Sequence, residues 1–91
     1  MRFVIKASTL VEKCYLKVHQ YGVEYLKTAA LGSKRQFQFS QIDCVLMSPG
    51  YMLSFQVGHE IFSIQTKPYR QADQDAVRAL LEGVRQGFVR M

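Results

Sequence analysis

The sequence predicts a mainly β domain: seven antiparallel strands in a strongly bent sheet, or in two orthogonal sheets, forming a partly open barrel capped by one C-terminal amphipathic helix. Three observations carry this. Up to Pro68, apolar and polar residues alternate in short runs, the period of half-buried strands. These runs are joined by short connections rich in Gly and Pro, which suit antiparallel neighbours. After Asp73 the rhythm changes: Val77, Leu80, Leu81, Val84 and Phe88 recur every three or four residues, the period of a helix.

The first strand is predicted over 2–7, with Phe3 and Ile5 on one side. The second, KCYLKVH over 13–19, sends Cys14, Leu16 and Val18 one way and Lys13, Tyr15, Lys17 and His19 the other. QYG marks a hairpin turn in which Gly22 supplies any positive φ. The third strand is VEYLK (23–27), followed by the looser TAALGSK. RQFQFS (35–40) is the fourth, with Phe37 and Phe39 on one face.

IDCVLMS (42–48) is the fifth strand, ended by the turn signal SPGY. MLSFQV (52–57) is the sixth, with Leu53, Phe55 and Val57 inward. Gly58 and His59 form a two-residue turn of type II′. EIFSIQT (60–66) is the seventh, with Phe62 and Ile64 inward, and Pro68 marks where it must stop. The helix is predicted over 73–88, with Asp73 as N-cap and Asp75 in its first turn. Arg85 and Arg90 lie toward its C-terminus, where positive charge suits the helix dipole. Its apolar stripe, Leu81 included, plugs the open end of the barrel.

A chain of 91 residues makes one domain, 1–91. With 48% apolar and 21% charged residues it is globular rather than disordered. No apolar run approaches the ~20 residues of a membrane span. The N-terminal patch is interrupted by Lys6, so a cytoplasmic protein is expected. Cys14 and Cys44 stand thirty residues apart without disulfide or metal spacing, and read as small buried strand residues. None of the familiar nucleophile, zinc, dinucleotide or P-loop motifs occurs. His19 and His59 have no neighbour at ligand spacing, and His59 and Glu60 point to opposite sides of a strand. A non-enzymatic protein with no metal and no cofactor is expected.

The order of elements, together with GVEYLK, RQFQFSQIDCVLMSPGYMLSFQVG and EIFSIQT, resembles the pleckstrin-homology-like superfold. The likeness runs from Phe3 to Phe88 and is nearest to the small bacterial and GRAM-type members. It implies a binding domain, and in relatives an extended peptide can add to a strand edge beside the terminal helix. Two features depart from many members. The chain has no Trp, and ASTLVE lacks the basic residues of phosphoinositide binders.

Two candidate surfaces follow. Lys13, Tyr15, Lys17 and His19 form a polar stripe suited to phosphates of a lipid headgroup or of single-stranded nucleic acid. Val45, Met47, Tyr51 and Met52 flank or precede the SPG turn and suit an adaptable protein contact. A second basic set, Arg70, Arg78 and Arg85, reads as a solvated helix face in which Glu82 pairs with both Arg78 and Arg85. The leading expectation is an interaction module for a protein partner or a second copy. Peripheral binding to anionic membrane is the alternative; nucleic-acid binding is weaker, resting on the net charge of +5 and Tyr–Lys interleaving.

Overall fold

In the computed structural model, which describes residues 3–7, 13–27 and 34–89, the chain is mainly β with one C-terminal helix. The strands are β1 (Phe3–Lys6), β2 (Cys14–Val18), β3 (Gly22–Lys27), β4 (Arg35–Gln38), β5 (Cys44–Met47), β6 (Met52–Val57) and β7 (Glu60–Gln65). The helix, α1, is Gln71–Val89. Arg2, the segments 8–12 and 28–33, the side chain of Phe88 and Arg90 lie outside the described residues.

The seven antiparallel strands divide into two sheets, β1-β2-β3-β4 and β5-β6-β7, which do not close into a barrel. The break falls where the fourth strand ends earlier than its alternation predicts. Gln38 N–H donates to the Gln41 side chain at 2.8 Å, and Phe39–Gln41 winds into a 3-10 turn. Phe39 therefore leaves the strand, and only Phe37 keeps its inward place. Ile42, buried at the crossover, carries the chain into the second sheet.

Side chains tie the sheets where backbone ladders do not. Tyr25, Phe37, Phe55 and Phe62 pack ring against ring between them, with centroids 5.1 Å apart for Phe37 and Phe62 and 5.8 Å for Tyr25 and Phe55. The Tyr25 hydroxyl donates to the Ser63 carbonyl on β7 at 2.7 Å. The Arg35 guanidinium lies over the rings of Phe37 and Phe62 and bonds both carboxylate oxygens of Glu60. This pair holds Glu60 below the usual carboxylate range, chiefly through its hydrogen bonds.

Gly22 does not serve a positive φ. It lies inside β3, and a Cβ there would stand 2.0 Å from the Phe37 carbonyl oxygen, so glycine is required by close strand approach. The left-handed position is Gly58 at φ 61, alone in its two-residue loop, as a type II′ hairpin requires.

Helix α1 packs against β1, the 3-10 turn and β2. Its buried stripe is Ala76, Leu80 and Val84; Val77 is half-buried and Leu81 is 49% exposed. The Leu81 expectation is therefore corrected: Leu80 is the buried member of the pair. The helix also begins two residues before the predicted start. Asp73 is no N-cap. It lies in the first turn, fully buried, where Oδ2 accepts the Lys67 N–H at 2.9 Å. That bond, made across Pro68, folds the β7–α1 connection and lets the helix start earlier. Asp75 consequently falls in the second turn, 3.8 Å from Arg78. Glu82 bonds Arg85 at 2.8 Å and does not bridge to Arg78, whose partner is Asp75. Arg85 lies just short of the last turn. Cys14 and Cys44 are in strands but half-buried, and neither forms a disulfide.

Candidate functional site

The polar stripe is only partly assembled. Lys13 is exposed just before β2, while Tyr15 and Lys17 are half-buried within it. Lys17 Nζ lies 4.9 Å from the centre of the Tyr15 ring. Both turn toward Glu24 on β3, which stands directly opposite Lys17. The Tyr15 hydroxyl donates to Glu24 at 2.6 Å, Lys17 Nζ approaches it at 3.8 Å, and Gln36 donates to its other oxygen at 3.3 Å. The carboxylate raises the Tyr15 pKa above its ordinary value, mostly through that hydrogen bond. An anion arriving here meets a cation beside a carboxylate. His19 sits apart, accepting the Tyr21 N–H at 3.3 Å and lining a cleft of about 580 Å³ with Phe39, Asp75 and Glu82.

The four residues expected at a protein contact lie together along β5 and its turn, but not on one face. Register places Val45 opposite Phe55 and Met47 opposite Leu53, so Val45 and Met47 belong to the inner face. Met52 alternates with Leu53 and points to the outer face. Leu46 shares that outer face, opposite Ser54, and is 66% exposed. Sequence reading missed Leu46 because a single Leu in a strand gives no sign of which side is covered.

Among the described strands, β5 is an edge. The Ser48 N–H donates to the Met52 carbonyl at 3.0 Å, which makes Ser48 part of a hydrogen-bonded pair with β6. Such pairs alternate along an antiparallel ladder, so Leu46 also turns its main chain to β6. The N–H and C=O groups of Val45 and Met47 point the other way, and no described strand pairs with them. Asp43 N–H donates to the carbonyl of Gln56, the residue facing Cys44: two residues opposite one, as in a bulge. The bulge sends the Asp43 carboxylate to Gly58 N–H at 2.8 Å.

Beside this edge, Met47, Tyr51, Val77 and Leu81 line a groove of about 370 Å³ between the SPGY turn and α1, with Lys67 and Arg78 also in its lining. Tyr51 is held at φ 64, although Gly50 beside it would take a left-handed conformation without strain. The Tyr51 N–H closes the turn on the Ser48 carbonyl at 2.9 Å. The Tyr51 side chain is 48% exposed. The Pro-Gly signal locates the turn, but nothing in it moves the positive φ onto Tyr51.

Among the described residues, no three His, Cys, Asp or Glu side chains come together to hold a metal ion. No described helix is long and apolar enough to cross a membrane. Comparison of the chain with protein-family models, curated proteins and solved structures finds no match.

Proposed function

We propose that this protein is a non-enzymatic interaction module that takes up an extended segment of protein along the free edge of β5. The observation that carries the reading is Tyr51, a non-glycine residue held at φ 64 and half exposed in a groove beside unpaired main-chain groups. Strain of this kind costs about 1–3 kcal/mol and persists where the surroundings impose it, often at ligand sites. Main-chain bonds to Val45 and Met47 would supply affinity, and alternate side chains of the guest would enter the groove. Met47 and Leu81 give that groove flexible apolar walls. In this reading the chain is a pleckstrin-homology-like domain working in the cytoplasm with a protein partner and no cofactor. The order of strands and terminal helix supports the resemblance.

The test is selection of binders from a random peptide library, followed by amide NMR of the labelled protein. Protection of the Val45 and Met47 amides in the parent chain, with protection of the Met47 amide lost in Val45→Pro, is the expected result. Binding unchanged in Val45→Pro and in Tyr51→Ala would place the contact on another surface and refute the reading.

A further inference from the structure

The residues along β5 fit one guest closely: β5 of a second copy. We infer that two chains associate through a two-fold antiparallel β5–β5 pairing, centred on Leu46. This inference rests on the reading of β5 as a docking edge and names the partner.

The outward main-chain groups belong to Val45 and Met47. A two-fold axis at Leu46 sets Val45 of one copy against Met47 of the other, so each such pair exchanges both N–H···O=C bonds. Leu46 then faces Leu46 of the second copy in a non-hydrogen-bonded pair, where side chains approach most closely. Both leucines lie on the outer face, so a side chain 66% exposed in one copy finds its equal in the other. Cys44 falls opposite Ser48, and no charged residue lies anywhere from Cys44 to Ser48.

The devices that keep edges apart are charge, proline and bulges. Here the Asp43–Cys44 bulge precedes Val45 and Pro49 follows Ser48, so charge, bulge and proline all lie outside the stretch Val45–Met47 that makes the outward hydrogen bonds. The other outer strands are treated differently. Helix α1 packs against β1, and the Arg35–Glu60 bridge links β4 to β7. Antiparallel docking also sets the acidic end of one β5, at Asp43, beside the turn end of the other, where the groove carries Lys67. The net charge of +5 per chain is screened beyond about 8 Å at physiological ionic strength, and the neutral strip is where the copies touch.

The experiment is sedimentation equilibrium over a concentration series, on the full chain and on Leu46→Glu and Leu46→Lys. Residue 46 is exposed in the single chain, so both variants should keep their fold, which circular dichroism checks. The full chain should rise from 10.5 kDa toward twice that mass. Each variant alone sets like charges on the axis and should stay at 10.5 kDa, while an equimolar mixture of the two should associate. A full chain that stays monomeric up to about 1 mM overturns the inference, as do two variants that associate like the parent or a mixture that does not associate. Amide protection separates the two readings. A monomer whose Val45 and Met47 amides are protected by a library-selected peptide overturns the second copy alone. A dimer with those amides unprotected overturns self-pairing, and an edge that no peptide protects either overturns both.

Discussion

The Tyr51 carbonyl accepts two hydrogen bonds from Thr66, one from its N–H at 3.0 Å and one from its hydroxyl at 2.7 Å. This double bond of turn to strand end holds Tyr51 in its left-handed conformation and presents its ring beside β5. Thr66 is itself buried, so its hydroxyl has little access to water in compensation. Removing the hydroxyl in Thr66→Val should cost about 0.5–1.5 kcal/mol, the usual net worth of one such bond. Tyr51→Gly should act in the opposite sense. It relieves a left-handed residue costing roughly 1–2 kcal/mol, less the added freedom of glycine in the unfolded chain. Urea denaturation should therefore show a small gain in stability for Tyr51→Gly, while peptide docking weakens. A marked stability loss in Tyr51→Gly would mean that the ring is a structural element and not a presented one.

Leu80 and Leu81 are neighbours with opposite fates. Leu80→Ala opens a cavity between α1 and the strands and should cost ~2–5 kcal/mol. Leu81→Ala, at an exposed groove wall, should cost under about 1 kcal/mol. Denaturation midpoints of the two variants, measured side by side, decide whether the buried stripe is Ala76, Leu80 and Val84.

Tyr15 should titrate above the ordinary phenol range because its hydroxyl donates to Glu24. The pKa is raised in the folded chain, so the stabilisation is fully present below the unfolded value of about 10 and lost as pH rises through the folded one. Glu24→Gln should lower the titration toward its ordinary place, read from tyrosinate absorbance against pH. An unchanged titration would show that the bond does not persist in solution.

Glu24 also governs what the stripe can do with phosphates. Binding to vesicles of anionic lipid should be weak, indifferent to headgroup and abolished by moderate salt, since Lys17 already has a carboxylate beside it. Glu24→Gln should strengthen it measurably in a flotation assay. Headgroup-selective binding that survives physiological salt and is lost in Lys13→Ala/Lys17→Ala would make membrane attachment the principal function.

By itself the sequence determined the number and order of the strands and the terminal helix, because these follow from local rules. Alternation names a strand, Gly58-His59 names a tight hairpin, and a three-to-four repeat names a helix. Tertiary structure alone decided everything that depends on what stands opposite a residue. Gln41, reaching back to Gln38, cuts β4 short and parts the sheets. Asp73 leaves the capping position because its carboxylate serves Lys67 across Pro68. Leu80 and Leu81 are alike in sequence, and only the direction from which β1 meets the helix buries one and leaves the other in the groove. The same holds for the candidate site. Val45, Met47, Tyr51 and Met52 were legible as a cluster, yet their division between two faces, the exposure of Leu46 and the strain at Tyr51 are set by register with β6 and by Thr66. Lys17 looked free for the same reason, since the carboxylate that neutralises it belongs to the neighbouring strand. A periodic pattern encodes which side of a strand faces a core; it does not encode which neighbour completes that side.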